Sequence, residues 1–350
     1  MDLPAGTRNY TYAQDMAIFR TKTHWVLLIA LLVILFTAPL YWGNRWLSVA
    51  NLIGITIIAA TGLNILTGYC GQLSIGHAGF IAVGAYTSAV LTSRFEVPFL
   101  VGLIAAGLAA GLIGLIFGIP SVRVKGFYLA ISTIAAQFII LWIINHWRSV
   151  TGGFDGMRVP EASIAGFALR SQASQFYLIM VVTVAVVYLA KNLARTRVGR
   201  AFVAIRDNDL AAEVMGINLF RYKLLAFFVG CFLAGIAGSL QAHAYWGSLN
   251  TENFPLVDSI LYVGMIIIGG LGTTTGPIFG VIFIRMLQYG IMLIGPVLEQ
   301  TFTLPAGFTT GIGPMVFGLV IVLFLILEPR GLAHRWQLFK ASYRLWPFSY

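Results

Sequence analysis

Pro98-Phe-Leu-Val-Gly-Leu-Ile-Ala-Ala-Gly-Leu-Ala-Ala-Gly-Leu-Ile-Gly-Leu-Ile-Phe-Gly-Ile119 is an apolar run without a charged residue. A helix needs about 20 mostly apolar residues to cross a bilayer, so this run predicts a transmembrane helix. Its small residues recur at every fourth position and therefore share one helix face. In lipid such a face lets two backbones approach closely, so we expect it to pack against another helix. The residues are Gly102, Ala106, Ala110, Gly114 and Gly118, and a second face of this kind holds Gly230, Ala234, Gly238 and Ala242.

The composition of the chain is that of a membrane protein. Of its 350 residues 59% are apolar and 10% are charged, whereas soluble domains have about 25% charged residues. A soluble enzyme and a disordered chain are thereby excluded. The basic residues behind the net charge of +10 lie between apolar segments, so we expect the lipid bilayer as a partner and not nucleic acid. Cys70 and Cys231 lie in apolar stretches, which predicts neither a disulfide framework nor a metal site.

Apolar runs of this kind predict an all-α polytopic membrane protein, a bundle of about ten transmembrane helices. The third and eighth runs can be broken or re-entrant helices, so the range is 8–10 with one or two glycine-broken spans. The transmembrane domain covers residues 25–327, between an N-terminal tail at 1–24 and a C-terminal tail at 328–350. The predicted spans are Trp25–Trp42, Leu47–Leu66, Leu73–Leu91, Pro98–Ile119, Gly126–Ile144, Gln175–Leu193, Leu224–Tyr245, Val257–Gly270, Gly276–Ile294 and Ile312–Leu327.

The distribution of basic residues predicts the orientation. With ten spans and a cytosolic N-terminus, 16 Lys and Arg residues lie on the cytosolic side and five lie outside. This is a clear positive-inside bias, so we expect both termini in the cytosol. The longest outer loop, about Asn145–Ser174, carries the turn-rich stretch Thr151-Gly-Gly-Phe-Asp-Gly156. It is either a contact for a soluble partner or an ordered connection.

A long charged loop at residues 195–223 is predicted on the cytosolic side. Asp207 or Asn208 can cap a helix start, and Gly216 suits the left-handed position that ends a helix. Leu210, Val214 and Met215 would form an apolar face between them. A short amphipathic helix of this kind can dock in a groove of a partner protein. The alternatives are a helix on the membrane surface and a solvated loop.

Two glycine-rich stretches interrupt the apolar pattern. The first glycine break (67–76) opens the stretch Thr67-Gly-Tyr-Cys-Gly-Gln-Leu-Ser-Ile-Gly-His-Ala-Gly-Phe-Ile-Ala-Val-Gly-Ala-Tyr86, and the second glycine break (269–277) reads Gly269-Gly-Leu-Gly-Thr-Thr-Thr-Gly-Pro277. Irregular backbone is tolerated at membrane depth where it lines a cavity. If the third span is helical from Leu73, one face collects Ser74, His77, Ile81, Gly84 and Ser88. These polar side chains either bind neighbouring helices or line a path.

Several features expected of other membrane protein classes are missing from the sequence. All 12 Asp and Glu residues fall in tails, loops or span ends, whereas ion-coupled transporters keep carboxylates inside the membrane. The chain has no phosphate-binding loop of the Gly-x-x-x-x-Gly-Lys-Ser/Thr type, so its energy would have to come from another subunit. A stand-alone secondary transporter or channel is the alternative. A membrane enzyme would need a cluster of His, Asp or Glu near one bilayer face, and the sequence shows none.

Over residues 45–330 the chain resembles the LivM-type permease subunits of bacterial branched-chain amino acid ABC importers. The motifs occur in the family's order, which makes the resemblance specific. They are Gly68–Tyr86, Arg123-Val-Lys-Gly-Phe-Tyr-Leu-Ala130 followed by Thr151-Gly-Gly, Ala211-Ala-Glu-Val-Met-Gly-Ile-Asn218 with Lys223, Ala234-Gly-Ile-Ala-Gly238, and Gly269–Pro277.

The resemblance implies a non-enzymatic permease in the bacterial inner membrane. It implies pairing with a paralogous H-type permease, two ATPase subunits that consume ATP, and a periplasmic substrate-binding protein. This chain itself would hold no cofactor. The charged loop would be the coupling loop, with Arg206, Asp207, Asp209, Glu213 and Gly216 at the ATPase. Gln72, Ser74 and His77 would lie near the substrate pathway. The solute is left open among branched-chain amino acids, urea, short amides and aromatic acids.

Overall fold

The computed structural model describes residues 22–121, 124, 126–164, 167–301 and 308–345, and it is built almost entirely of helices. Residues 1–21, Arg123, Lys125 and 346–350 lie outside this part, and with them most of the expected N-terminal tail. The helices are α1 Lys22–Tyr41, α2 Asn44–Leu63, α3 His77–Arg94, α4 Phe99–Ser121, α5 Phe127–His146, α6 Gln172–Arg195, α7 Arg197–Asp207, α8 Asp209–Val214, α9 Leu219–Gln241, α10 Leu256–Gly269, α11 Gly276–Thr301, α12 Phe308–Leu327 and α13 Gly331–Leu345.

Each of the ten predicted spans corresponds to one helix, α1–α6 or α9–α12, so the all-α polytopic fold is confirmed. Among the described residues, seven helices are long and apolar enough by themselves to cross a membrane. The bent pair Gly311–Leu327 and Gly331–Ser342 would add an eighth. The rest of the predicted ten are α1, whose apolar part Trp25–Tyr41 is too short to be counted, and the more polar α3. In α3 the residues from His77 to Tyr86 are all buried by protein, so this helix does not need a lipid-facing composition.

Helix α9 lies at the centre of the bundle and contacts α2, α3 and α4. Its glycines lie where those helices approach most closely. A Cβ built at Gly235 would lie 2.7 Å from the Ala110 Cβ on α4, and one at Gly238 would lie 2.9 Å from the Ala85 nitrogen on α3. On the α2 side, a Cβ on Gly62 would lie 2.6 Å from the Gly230 carbonyl oxygen. The prediction that both small-residue faces pack between helices is confirmed.

Short irregular elements connect or extend the helices. The π-helical segments Asn64–Tyr69 and Ala242–Trp246 extend α2 and α9. Strand β1 (Met157–Arg158) pairs antiparallel with β4 (Ser248–Leu249), and β2 (Ser163–Ile164) pairs with β3 (Phe167–Ala168). The expected C-terminal tail is helix α13 from Gly331 to Leu345, and its Ala333 is fully buried.

Candidate functional site

The two glycine breaks meet each other in the fold, although about 200 residues separate them in the chain. The Asn64 side chain joins them, because its Nδ2 donates to the Thr273 carbonyl oxygen at 2.9 Å and its Oδ1 accepts from the Gly272 nitrogen at 3.0 Å. The hydroxyls of Tyr69 and Thr274 form a second link at 3.1 Å. The two breaks therefore form one joint between the pair α2–α3 and the pair α10–α11.

The first glycine break begins in the π-helical extension of α2, which ends at Tyr69, and continues as non-helical backbone from Cys70 to the start of α3. Such backbone is tolerated inside a bundle only if its polar groups find partners. Thr67 Oγ1 donates to the Gln72 carbonyl oxygen at 3.0 Å, and the Ile75 nitrogen donates to Thr133 Oγ1 at 3.0 Å. The Ala78 nitrogen at the start of α3 donates to Ser259 Oγ at 2.8 Å. Side chains from distant helices thus hold this segment in place.

Gln72, Ser74 and His77 lie along this segment and are buried. The expectation that α3 begins at Leu73 is wrong: it begins at His77, so Ser74 lies in the non-helical segment and not on the helical face. His77 Nε2 lies 3.0 Å from the Ala59 carbonyl oxygen, and Gln72 Nε2 donates to the Cys70 carbonyl oxygen at 3.4 Å. The remaining polar atoms Gln72 Oε1, Ser74 Oγ and His77 Nδ1 have no hydrogen-bond partner within the described part of the chain.

Further polar residues surround the start of α3 and were missed from the sequence. Ser259 Oγ donates to Gln137 Oε1 at 2.7 Å, and Gln137 Nε2 donates to the Phe254 carbonyl oxygen at 3.2 Å. Gln137 lies at the middle of α5, so α10 begins deep inside the bundle and not at its surface. A signal was present in the sequence, because the eighth predicted span is too short to cross a bilayer alone.

The depth of α10 corrects the expectation that every Asp and Glu residue lies in a tail, a loop or a span end. Asp258, read as a residue at a span end, lies in the first turn of α10 next to Ser259 and therefore near mid-bundle. Arg285 of α11 acts electrostatically on Asp258, and its Nε donates to Thr56 Oγ1 at 3.1 Å. Its Nη1 donates to Gln288 Oε1 at 2.9 Å. An acidic and a basic side chain, both half-buried, thus lie along the middle of the bundle.

The charged loop folds as the two helices α7 and α8. Helix α8 has the predicted boundaries, since Asn208 Oδ1 accepts from the Ala211 nitrogen at 3.1 Å and Gly216 has a φ of +84°. Its apolar side chains point away from the bundle: Leu210 is 66% exposed, Val214 87% and Met215 82%. Helix α7 was not predicted. Thr196 caps it by accepting from the Gly199 nitrogen, and Phe202 and Ile205 are buried against the bundle.

The charged residues of this loop face different ways. Glu213 is exposed beside the apolar face of α8. Asp209 lies toward the bundle, with Oδ2 3.7 Å from the Nζ of Lys223, a side chain that is 4% exposed. Arg206 Nη2 pairs with Asp207 Oδ1 at 2.8 Å, and its Nη1 donates to the Gly68 carbonyl oxygen at 3.0 Å. The charged loop is therefore in direct contact with the first glycine break.

The opposite end of the bundle carries the Asn145–Ser174 loop, whose described part is an ordered connection. Arg94 donates to the Ser149 carbonyl oxygen, and His243 Nδ1 lies 2.7 Å from the Pro160 carbonyl oxygen. Thr251 Oγ1 donates to Asn145 Oδ1 at 2.8 Å. A pocket beside this contact is lined by Leu141, Asn145, Phe154, Asn250, Thr251 and Glu252.

Comparison with known proteins places this architecture in a family. Residues 45–326 match the family described as branched-chain amino acid transport system / permease component. The high-affinity branched-chain amino acid transport permease LivM of Escherichia coli K12 is 29% identical over 87% of this chain and 74% of its own length. The galactose/methyl galactoside import permease MglC of the same organism is 26% identical over 77% of this chain and 85% of its own.

Among solved structures, PsaBC from Streptococcus pneumoniae in complex with a Fab covers 85% of this chain and 97% of its own at 14% identity, with a TM-score of 0.44. The family match spans α2 to α12 and includes both glycine breaks and the charged loop. This chain belongs to the permease family of branched-chain amino acid transport systems.

Proposed function

We propose that this chain is the LivM-type permease subunit of an ATP-driven importer and forms the membrane path for a small polar solute. Membership of the permease family and the likeness to LivM of Escherichia coli support this function. A branched-chain amino acid is the favoured solute, because the family and LivM carry that description. The likeness to the galactose permease MglC keeps related small polar solutes within the proposal.

The proposed location is the bacterial inner membrane, with both termini in the cytosol. The positive-inside bias supports this orientation. The contacts agree with the bias, since the charged loop and both glycine breaks share one end of the bundle and the Asn145–Ser174 loop lies at the other.

The exposed apolar face of α8 is the observation that carries the proposal of ATP coupling. Leu210, Val214 and Met215 point away from this subunit, and an amphipathic helix of this kind buries its apolar face in a partner's groove. We assign that groove to an ATPase subunit. Asp207, Glu213 and Gly216 are exposed around the same face, whereas Asp209 would support α8 from behind through Lys223.

The complete importer would contain this chain, a paralogous H-type permease, two ATPase subunits and a periplasmic substrate-binding protein. ATP would be used by the ATPases, and this chain would need no cofactor. Gln72, Ser74 and His77 are the proposed pathway residues, because each keeps a buried polar atom that the fold does not satisfy. Polar groups at this depth are costly unless they are wetted or paired, as a passing solute would do.

The test of ATP coupling is the double variant Leu210→Asp/Glu213→Lys, which spoils the apolar face and reverses a charge. We expect the variant to insert in the membrane, uptake to fall strongly, and the ATPase activity of the purified complex to lose its response to the loaded binding protein. The matched control is Leu210→Met/Glu213→Gln, which keeps the apolar surface and should behave as the unmodified chain.

Normal uptake with normal ATPase stimulation in the Asp/Lys variant would refute the docking role of α8. Uptake by this chain alone in vesicles without ATP would favour the stand-alone transporter instead.

A further inference from the structure

One guanidinium contacts both glycine breaks. Arg206 lies in the last turn of α7. Its Nη1 donates to the Gly68 carbonyl oxygen at 3.0 Å, at the C-terminal end of the α2 extension. Carbonyl groups at a helix C-terminus lack donors from their own helix, and a cation is favoured there. Arg206 therefore caps the end of α2 from the charged loop.

Glycines make room for this side chain on both sides. In the first glycine break, a Cβ added at Gly71 would lie 3.1 Å from Arg206 Cγ. In the second glycine break, a Cβ added at Gly272 would lie 2.5 Å from Arg206 Nη1. Both glycines also have positive φ angles, +72° and +70°, which L side chains rarely adopt. The Arg206 side chain thus lies between the two breaks at the point where Asn64 joins them.

Helix α8 is connected to this contact through the turn between α7 and α8. Asn208, the residue between α7 and α8, caps α8 with its side chain, and Asp207 holds the guanidinium through Nε at 3.0 Å and Nη2 at 2.8 Å. Displacement of α8 by a partner would therefore move Arg206 as well. The first break contains Gln72 and Ser74 and leads to His77, while the second connects α10 to α11.

We propose that Arg206 is a positioning residue that transmits movement of α8 to both glycine breaks at once, through Gly68 and the Gly272 contact, and not through contact with an ATPase. This inference rests on the proposed docking of α8. It assigns to Arg206 a role inside this subunit that docking alone does not require.

The experiment compares Arg206→Gln and Arg206→Lys with the control Arg221→Gln, in the complete importer reconstituted in liposomes with its binding protein. Arg221 is an exposed residue of the same loop, and no hydrogen bond joins its side chain to either break among the described contacts. The readouts are co-purification of the ATPases, ATP hydrolysis, and solute transported per ATP hydrolysed.

For Arg206→Gln we expect normal co-purification of the ATPases and normal ATP hydrolysis. Solute transported per ATP should fall about tenfold, because the variant loses a charged hydrogen bond to a buried acceptor. Arg206→Lys should recover part of this ratio, because an ammonium can reach one acceptor but cannot bridge two. Arg221→Gln should leave the ratio unchanged.

Two results would overturn the proposal. The first is an unchanged transport ratio in Arg206→Gln. The second is loss of the ATPases from the Arg206→Gln complex, which would make Arg206 part of the docking surface or of the fold. Failure of α8 docking itself is recognised separately, because the Leu210→Asp/Glu213→Lys complex would then keep its ATPase stimulation.

Discussion

Two fully buried serines lie close to the start of α3, and the fold satisfies only one of them. Ser259 accepts from the Ala78 nitrogen and donates to Gln137, whereas Ser74 Oγ has no partner among the described residues. Removal of a bonded buried hydroxyl costs about 1–3 kcal/mol, because its partners are left unsatisfied. Removal of an unpartnered hydroxyl has no such cost.

Ser74→Ala should therefore keep the thermal stability of the purified subunit while it lowers uptake, if Ser74 lies on the path. Ser259→Ala should lower stability by about 1–3 kcal/mol. Thermal unfolding in detergent and uptake in vesicles separate the two effects. Equal loss of stability in both variants would show that Ser74 has only a packing role.

Gly238 is a second position where a single atom decides the packing. An added Cβ would lie 2.9 Å from the Ala85 nitrogen and still closer to the Ile81 carbonyl oxygen, and neither backbone atom can move alone. We expect Gly238→Ala to lower the free energy of unfolding by about 1–3 kcal/mol through overpacking. Gly290→Ala is the matched control, because a Cβ at Gly290 meets nothing within 4 Å. A stable Gly238→Ala variant would contradict the close α3–α9 contact.

At the scale of elements, local signals in the sequence predicted local structure well. The cap, the apolar face and the terminal glycine of α8 lie within ten residues of one another, and each is in its expected place. The start of α3 at His77 could not be predicted in this way. It depends on Thr133 and Ser259, two residues far along the chain whose hydroxyls accept from the Ile75 and Ala78 nitrogens. The depth at which α10 begins also depends on a contact between distant residues, the hydrogen bond from Ser259 to Gln137.

An ion pair joins α8 to α9. Lys223 is almost fully enclosed, and its Nζ lies 3.7 Å from Asp209 Oδ2. Loss of Asp209 would take this partner from the buried Lys223 ammonium, and breaking a well-buried pair costs about 3–5 kcal/mol. Because Asp209 is partly exposed, we expect Asp209→Asn to cost less than this. The double variant Asp209→Asn/Lys223→Met should recover part of the loss in thermal unfolding, and no recovery would exclude direct coupling between these residues.

At the scale of the whole molecule, contacts sort the functional segments into two ends. The first glycine break, the second glycine break, the charged loop and the start of α13 meet at one end, where Gly331 packs against Gly270. Arg94 and the Asn145–Ser174 loop lie at the other end. The sequence predicted each motif separately, but it contained no signal that Asn64 and Arg206 would bring three of them together. The contacts of Asn64 with Thr273 and of Arg206 with Gly68 each join residues more than a hundred positions apart in the chain, and the packing of the helices brings them together.

This arrangement makes the sidedness of the molecule testable with two exposed residues. With Cys70 and Cys231 replaced by Ala, cysteines are introduced singly at Val214 on α8 and at Phe154 in the Asn145–Ser174 loop, two side chains that are 87% and 60% exposed. We expect a membrane-impermeant thiol reagent added to intact cells, with the outer membrane made permeable, to label Phe154→Cys and not Val214→Cys. In inside-out vesicles the labelling should reverse, because the basic charged loop favours the cytosol. Labelling of both cysteines from the same side would refute the ten-span topology, and the reversed pattern would place the charged loop beyond the reach of ATPase subunits.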